Sequence, residues 1–496
     1  MAVVGGGISG LAAAWDLVKT PGTEVTVIED ATRLGGKIAS GPFAGLEMDT
    51  GPDAFLARVP AAAELAREAG LGGELVAPAT GQAWLWTRAG LRPLPTGLVL
   101  GVPGDLGALA RSRILPRRAV ARAALDLVLP GRPLGEDEDV AVGALVRARL
   151  GRAVQMGLVD PLLGGINAGH TDGLSAAVAA PVVLAAARRD RSLLRGLRAG
   201  GTTGDPSGAV RGGGNGTGGG PGTAGGRETG GGAGETGAGA PVFWTVRGGL
   251  GRLVAALAAG IRRAPGAEVV TGDGVAALLP GPVGWTVRLS SGRQIEADAV
   301  VVTCPAPDAA RLLRAVSPGA AATLGSIDTA SVVMTLLAYP GSAVAVPRPG
   351  SGFLVPRSER RLVTAASWVG AKWPHLASPD RLVVRASSGR IDDRRAMELD
   401  DDELVAAVQG ELSSAMDLVG PPAEAQVHRW ADAFPQYAPG HLDRIDQAER
   451  RLALDAPAVV LAGAALRGVG IATCIAGARA AAARVLGQVA ARPAQR

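Results

Sequence analysis

The sequence predicts an α/β fold in which a discontinuous, Rossmann-like nucleotide-binding domain is interrupted by an inserted mixed α+β domain and a helical subdomain. Three observations support this prediction. A short apolar strand at the start leads into a glycine-rich turn and a helix, helical patterns fill much of residues 58–199, and another strand, glycine turn and helix follow position 457. Strands at both ends around a different middle are typical of one domain with another inserted in it.

Length and composition predict an ordered protein of two or three domains. The chain has 496 residues, of which 47% are hydrophobic and 19% charged, which excludes a wholly disordered protein. The net charge is +5, but no basic stretch is interleaved with aromatic residues, so nucleic-acid binding is not expected. No run of about 18 apolar residues is present, so we expect no membrane-spanning helix, and the first residues show no secretory signal.

Cysteine and histidine usage gives no sign of a metal site. Cys304 and Cys474 lie far apart in the sequence without close Cys or His neighbours, which predicts neither a disulfide framework nor a metal site and favours a reducing cytoplasm. The four histidines are scattered, so we predict none of them as a general base. Contact with a membrane surface and the oligomeric state are left open by the sequence.

The first elements form a nucleotide-binding pattern. A buried strand, Ala2–Val4, is followed by Gly5-Gly6-Gly7-Ile8-Ser9-Gly10, a helix over Leu11–Val18 and a second strand over Val25–Ile28 that ends at Glu29. Strand, helix, second strand and terminal acid together predict a dinucleotide site far more strongly than the glycines alone.

Each residue of this pattern has a physical role. Gly5 makes the tight turn, Gly7 lets the backbone approach a pyrophosphate, and Gly10 packs the helix against the strand. The start of the helix offers free N–H groups and the positive end of its dipole to the phosphates. Glu29 is expected to accept hydrogen bonds from the ribose hydroxyls.

The next segment indicates which nucleotide binds. Arg33-Leu34-Gly35-Gly36-Lys37 comes directly after this acid, and Asp49-Thr50-Gly51-Pro52-Asp53-Ala54-Phe55 lies a little further on. The first segment resembles the R-x-G-G-[KR] signature of flavoproteins of the amine-oxidase superfamily, where it lies against FAD. The resemblance implies FAD rather than NAD, with an arginine for phosphate oxygens and glycines for close backbone approach.

The middle of the chain changes from helical to strand-rich patterns. Predicted helices are Pro60–Ala69, Arg117–Leu129, Val140–Leu163, Asp401–Ser414 and Ile475–Ala490. Predicted strands are Glu268–Thr271, Thr286–Leu289, Ala299–Thr303, Ala330–Leu337 and Arg381–Ala386. Residues 200–240 are nearly half glycine and predict a flexible surface insertion.

A second glycine turn lies near the end of the chain. The apolar run Pro457–Leu461 leads to Arg467-Gly468-Val469-Gly470-Ile471 and a helix rich in small residues. In the proteins that this chain resembles, the equivalent turn lies beside the isoalloxazine ring, where its N–H groups stabilise negative charge on the reduced flavin. We interpret Cys474, at the start of that helix, as a packing residue.

Over nearly its whole length outside the glycine-rich segment, the chain resembles the oxygen-dependent protoporphyrinogen/coproporphyrinogen III oxidases of haem synthesis. The segments that carry this resemblance, in order, are Gly5–Gly10, Gly51-Pro52, Leu94-Pro95, Val159–Ile166, Arg247–Leu250, Phe353–Pro356, Lys372-Trp373-Pro374, Pro435-Gln436-Tyr437, Gly440-His441, and Gly468–Ile471 with Cys474-Ile475. Asn167 and His170 depart from the pattern, since relatives often have Tyr and Asp there.

The resemblance implies a discontinuous FAD-binding domain and a set of FAD-contacting residues. The FAD-binding domain is expected at 1–57, 241–315 and 435–496, the substrate and helical domains at 58–199 and 316–434, and the insertion at 200–240. The implied FAD contacts are Gly5, Gly6, Gly7, Ile8, Ser9, Gly10, Glu29, Arg33, Gly35, Gly36, Lys37, Gly51, Pro52, Asp53, Ala54, Val275, Trp430, Val469, Gly470 and Ile471. No catalytic acid or base is implied, because the flavin carries the chemistry.

The resemblance also implies the reaction. Six electrons would leave a porphyrinogen in three two-electron rounds, each a hydride transfer from a methylene bridge to flavin N5 followed by loss of an N–H proton, and O2 would be reduced to H2O2. Four propionates of coproporphyrinogen III call for more cationic partners than the two of protoporphyrinogen IX, and Arg92 and Lys372 are the candidates.

The choice of substrate rests on composition as well as on charge. The basic residues are almost all arginine, which is typical of GC-rich genomes, and the high-GC actinobacteria generally use the coproporphyrin route. We therefore favour coproporphyrinogen III. Protoporphyrinogen IX oxidation, another flavoenzyme of the amine-oxidase superfamily, and a non-catalytic porphyrin-binding protein remain as alternatives, although two tyrosines and 3% aromatic residues argue against an amine oxidase's aromatic cage.

Overall fold

The computed structural model describes residues 1–129, 131–199, 241–281, 284–344 and 349–491. The predicted insertion, 200–240, lies outside the described residues. Two sheets organise the rest. The parallel sheet has five strands in the order Ala267–Thr271, Val25–Glu29, Ala2–Val4, Val300–Val302 and Val459–Leu461.

Layers of helix and strand cover the parallel sheet on both faces. One face packs against the helices Ile8–Leu17, Gly251–Arg263, Ile471–Ala490 and Ala61–Glu68. The other face packs against a three-stranded antiparallel sheet and three helices: Val275–Pro280, Trp285–Leu289, Gln294–Ala297, Ala306–Leu313, Pro318–Gly325 and His441–Asp455. Strands buried on both faces read as continuous apolar runs, as Ala2–Val4 and Val300–Val302 do.

The mixed sheet has seven strands. Their order is Glu424–Pro435, Thr329–Pro340, Arg381–Ser388, Val363–Trp368, Gly352–Leu354, Trp84–Thr87 and Gly90–Pro93. The pairing is antiparallel throughout except between Gly352–Leu354 and Trp84–Thr87. The helix Asp401–Met416 packs on one face, and Asp400 and Glu403 close its start as a capping box.

A helical subdomain forms a third core that includes Leu85 of the mixed sheet. Its helices are Leu106–Ser112, Arg117–Ala124, Leu125–Leu127, Val142–Leu150, Arg152–Val154, Gln155–Gly164, Gly165–Asn167, Ala176–Ala179, Pro181–Arg189 and Leu193–Ala199. The remaining short elements are the strands Ser40–Phe43, Leu46–Asp49, Phe55–Leu56, Leu75–Val76, Leu98–Val99, Val102–Pro103 and Phe243–Val246, and the helices Gly72–Glu74, Gly341–Ala343, Arg357–Glu359, Val369–Lys372, Pro374–Leu376, Arg395–Glu398 and Ala464–Arg467.

The fold confirms the predicted α/β class with its Rossmann-like parallel sheet and separate mixed sheet. The single helix predicted over Val140–Leu163 is wrong. Gly151, at φ +91°, ends its first part, and the stretch Gln155–Gly164 is a π-helix that contains Pro161. Glycine reaches this backbone angle without strain, and proline cannot donate a backbone hydrogen bond, so neither residue supports one regular helix.

Other predicted elements occur with shifted ends, and some observed elements were not predicted. The first helix begins at Ile8, and the last begins at Ile471 rather than Ile475. The hairpin of Trp84–Thr87 and Gly90–Pro93 lies in a region that the sequence predicts as mostly helical. No helix in the described ranges is both long enough and apolar enough to cross a bilayer.

A buried carboxylate joins the start of the chain to the helix Gly251–Arg263. Asp49 Oδ1 accepts hydrogen bonds from the Leu250 N–H at 2.9 Å and from the Ser40 hydroxyl at 2.5 Å. Ser40 Oγ in turn accepts the Gly251 N–H at 2.9 Å. Burial raises the pKa of Asp49 to about 6, although these hydrogen bonds and the charge of Arg385 act in the opposite direction.

We expect Asp49→Asn to change how stability depends on pH. The folded-state pKa lies above the unfolded value of about 3.9, so the stability that this group contributes is complete below pH 4 and is lost as pH rises through 6. Asn cannot ionise. Between pH 4 and pH 7, the free energy of unfolding of Asp49→Asn should therefore rise relative to that of the natural protein by up to about 3 kcal/mol.

Urea unfolding at four pH values with saturating FAD measures this difference. Glu47→Gln, at an exposed position of the same strand, is the matched control. Its free energy of unfolding should depend on pH in the same way as that of the natural protein. If the difference in free energy of unfolding between Asp49→Asn and the natural protein does not change with pH, Asp49 has the same pKa in the folded and unfolded states.

Candidate functional site

Two adjoining cavities lie at the edge of the parallel sheet. The smaller cavity, of about 680 Å³, runs along the carboxyl ends of the strands, where Gly5, Glu29, Thr303 and Gly274 line it. The larger cavity, of about 960 Å³, lies between this edge, the mixed sheet and the helical subdomain. The residues that line both cavities are Lys37, Pro52, Ala464, Val469 and Ile471. In open α/β sheets, ligands bind at the carboxyl ends of the strands.

The geometry of the first glycine turn explains why its residues are glycines. Gly5 has φ +105°, and a Cβ at Gly10 would lie 1.8 Å from the Gly5 carbonyl oxygen, so the helix can sit on the strand end only with glycine there. At Gly7 an added Cβ would find its nearest neighbour, Gly36, at 3.8 Å. Gly7 therefore keeps space free rather than avoiding a clash, as close approach of a ligand requires.

The start of the first helix and the acid of the second strand both meet the smaller cavity. Gly7 has no side chain to cap the helix, so the first N–H groups of Ile8–Leu17 stay available to an anion. Glu29 accepts the Gly6 N–H at 2.6 Å and the Ala31 N–H at 3.0 Å. A carboxylate has about four lone-pair positions, so Glu29 keeps acceptors for hydroxyl groups. These residues fit the predicted FAD.

Arg33 is placed differently from what we expected of a phosphate ligand. Its guanidinium donates to the carbonyl oxygens of Leu34, Gly36 and Ile38 and lies 5.8 Å from the ring of Trp430. It therefore shapes the glycine loop, and a direct contact with FAD stays a prediction.

Most of the residues predicted to contact FAD line one or both of the two cavities. Those lining the smaller one are Gly5, Gly7, Ile8, Ser9, Glu29, Gly35, Gly36, Lys37, Pro52, Val275, Val469 and Ile471. Those lining the larger one are Lys37, Gly51, Pro52, Asp53, Ala54, Trp430, Val469, Gly470 and Ile471. Gly6, Gly10 and Arg33 line neither cavity; the two glycines are buried and Arg33 is exposed.

Burial keeps both cavity thiols protonated. It raises the pKa of Cys474 to about 11, despite a hydrogen bond from Ser9 and the charge of Lys37. Burial and the charge of Asp308 raise the pKa of Cys304 to about 12. Neutral thiols are poor nucleophiles, which agrees with packing roles.

The larger cavity is mostly apolar, with four charged residues among the described ones that line it: Lys37, Asp53, Lys372 and Arg385. Asp53 accepts hydrogen bonds from Lys372 Nζ at 2.8 and 3.0 Å and lies 2.7 Å from Arg385 Nη1. Burial would raise the pKa of the Asp53 carboxyl, but the charges of Lys372 and Arg385 outweigh it and hold that pKa well below its usual range.

The two substrate candidates end up in different places. Lys372 lines the larger cavity. Arg92 is exposed on the strand Gly90–Pro93 and lines neither of the two adjoining cavities. Arg385, which the sequence analysis missed, lines the larger cavity instead. The signal in the sequence was an arginine that interrupts the apolar run 382–386 within the strand Arg381–Ser388.

All four histidines are described, and none of them lines either of the two adjoining cavities. His170 accepts the Asp172 N–H through Nδ1 and lines a separate cavity of about 230 Å³. Asn167, the other departure from the family pattern, donates to the Leu163 carbonyl inside the helical subdomain. No group of three His, Cys, Asp or Glu in the described ranges could hold a metal ion.

Two aromatic residues brace the turn that both cavities share. The Tyr437 hydroxyl donates to the Ala464 carbonyl at 2.6 Å, and His441 Nε2 donates to the carbonyls of Ala465 and Leu466 at 3.0 and 2.9 Å. Burial lowers the pKa of His441, so its ring is neutral and carries its proton on Nε2. The carbonyls left free by the short helix Ala464–Arg467 are thus satisfied, and the adjacent loop is fixed in place.

We expect Tyr437→Phe to loosen this turn. The Ala464 carbonyl would lose its buried donor, which costs about 1 to 2 kcal/mol of unfolding free energy, and the dissociation constant for FAD should rise. Urea unfolding and flavin fluorescence measure the two quantities. The chain offers a matched control, because its other tyrosine, Tyr339, has a buried hydroxyl without a hydrogen-bond partner among the described residues.

Tyr339→Phe should leave both quantities unchanged or raise stability slightly, since it removes a buried group that makes no hydrogen bond. Equal effects of the two substitutions would contradict the bracing role of Tyr437.

Comparisons with known proteins agree with this geometry. The family model for flavin-containing amine oxidoreductases matches residues 8–486. A coproporphyrinogen III oxidase of Propionibacterium freudenreichii is 37% identical over 98% of this chain and 90% of its own, and a protoporphyrinogen oxidase of Bos taurus is 30% identical over 98% of each. A crystal structure from Exiguobacterium sp. 255-15 aligns with a TM-score of 0.81 and 28% identity over 98% of both chains. The chain belongs to the flavin-containing amine oxidoreductase family.

Proposed function

We propose that the chain is a FAD-dependent oxidase that removes six electrons from coproporphyrinogen III to give coproporphyrin III, with O2 reduced to H2O2. The observation that carries this proposal is the junction of the two cavities. The predicted flavin loop, Val469–Ile471, forms a wall of the large apolar cavity, so a substrate there would lie directly against the cofactor's reactive end.

The larger cavity suits a porphyrinogen. Its volume of about 960 Å³ is at the upper end of small-molecule sites, and its walls include Leu94, Ile166, Phe353 and Phe434. Such walls fit the apolar faces of a macrocycle. The cations Lys37, Lys372 and Arg385 fit its carboxylates.

The chain's own residues bind and orient rather than donate protons. When bound, FAD supplies the electron acceptor and passes the electrons to O2. The apolar walls exclude water from the macrocycle, and the braced turn at Ala464 holds the loop beside it. We name no catalytic acid or base.

We also propose porphyrinogen and O2 as the small-molecule partners and the cytoplasm as the location. The two thiols, Cys304 and Cys474, are free, which supports a reducing compartment. Protoporphyrinogen IX is the second candidate substrate, since the family includes proteins of that name.

Oxygen uptake and porphyrin fluorescence of the FAD-loaded protein test the proposal. With coproporphyrinogen III we expect three O2 consumed per porphyrin formed, and a higher kcat/KM than with protoporphyrinogen IX. Faster turnover of protoporphyrinogen IX would overturn the substrate choice. If the protein shows no bound-flavin absorption bands after incubation with FAD and removal of the free FAD, the proposal that the chain is a flavoenzyme is wrong.

A further inference from the structure

We infer that Asp53, Lys372 and Arg385 form a binding site for one substrate carboxylate and that this site favours a tetracarboxylic porphyrinogen over a dicarboxylic one. The inference rests on the proposed function. It concerns how the larger cavity selects its substrate.

The three residues form a compact cluster on the cavity wall. Lys372 Nζ and Arg385 Nη1 both contact the Asp53 carboxylate within 3.0 Å, and Trp373 Nε1 donates to it at 3.1 Å. The side chains are 18%, 6% and 20% exposed for Lys372, Arg385 and Asp53. The cluster is therefore largely withdrawn from water but still reaches the cavity.

The charge of the cluster is unbalanced. The two cations and the Asp53 carboxylate leave a net charge of +1 in a largely apolar surrounding, where an unpaired charge is unfavourable. The buried Asp49 carboxyl, on which the charge of Arg385 also acts, is held by Ser40 and Leu250 and offsets part of this excess only above its pKa of about 6. Arg385 Nε–H is also buried and has no hydrogen-bond partner among the described residues. One added carboxylate would bring the cluster to neutrality, and a neutral ligand group would not.

The same balance gives a preference between porphyrinogens. Coproporphyrinogen III carries a propionate on each of its four pyrrole rings, so any edge that enters the cavity brings a carboxylate to the cluster. Protoporphyrinogen IX carries propionates on two adjacent rings and vinyl groups on the other two. When its vinyl edge enters, the excess charge of Lys372 and Arg385 stays unpaired, which disfavours that orientation.

Two substitutions should act in opposite directions. Lys372→Met leaves the cluster neutral before binding, so an added carboxylate creates a net negative charge. Asp53→Asn leaves it at +2, so the carboxylate is attracted more strongly. Hydrogen bonds to charged groups correspond to roughly 10- to 100-fold in affinity, so we expect Lys372→Met to raise KM for coproporphyrinogen III by about tenfold or more and Asp53→Asn to lower it.

The experiment uses the FAD-loaded full chain and measures kcat and KM for both porphyrinogens, and the dissociation constants of coproporphyrin III and protoporphyrin IX by fluorescence quenching. KM and the binding constants should change more than kcat, and more for the tetracarboxylic member of each pair. Arg381→Met, on the same strand as Arg385 but away from the cavity, is the control and should leave both substrates unaffected.

Shifts in the same direction for Lys372→Met and Asp53→Asn, or equal shifts for both porphyrins, would overturn the site, because general damage to the fold acts that way. If the natural protein oxidises neither porphyrinogen, the proposed function fails. The two binding constants then still decide whether the cluster recognises a carboxylate.

Discussion

The pairing of one three-residue strand is the constraint on which the rest of the molecule depends. Ala2–Val4 is hydrogen-bonded to Val25–Glu29 on one side and to Val300–Val302 on the other, and both faces of it are buried. Two parts of the chain nearly 300 residues apart are thereby fixed in register. The carboxyl ends of these strands define one edge, and the two cavities lie there because the helix and loops that follow the strands must turn away at the same point.

This edge leaves little room for variation in backbone geometry. The helix Ile8–Leu17 starts so close to the strand end that Gly10 touches the Gly5 carbonyl, whereas the empty side of Gly7 keeps the cavity accessible. On the opposite wall, hydrogen bonds from Tyr437 and His441 fix the carbonyls before the second glycine turn. The two turns come from opposite ends of the chain. A close backbone contact holds the first, and side-chain hydrogen bonds to the preceding carbonyls hold the second.

Local patterns in the sequence predicted the strands of the parallel sheet and both glycine turns, because each of these depends on neighbours a few positions away. The family resemblance, not a local pattern, implied cavity residues such as Val275 and Trp430. Long-range contacts were beyond such patterns. Lys372, at the end of a short helix, meets Asp53 across 319 residues, and Arg385 meets it from a strand of the mixed sheet. The contacts of Arg33 with backbone carbonyl groups were not predicted for a related reason, since every residue has such a group.

The loop that contains Asp53 connects the cofactor side to the substrate side. Its Thr50 carbonyl accepts a hydrogen bond from Trp430, and its Gly51 carbonyl accepts one from Arg385, both from strands of the mixed sheet. Close packing reinforces this arrangement, because a Cβ at Gly51 would lie 2.1 Å from the Lys37 carbonyl oxygen. A movement of the mixed sheet would therefore displace the loop between the two cavities. The charge cluster is thus attached to a loop that also lines the cofactor side, and a substrate carboxylate bound as proposed would fix the position of the macrocycle relative to the cofactor.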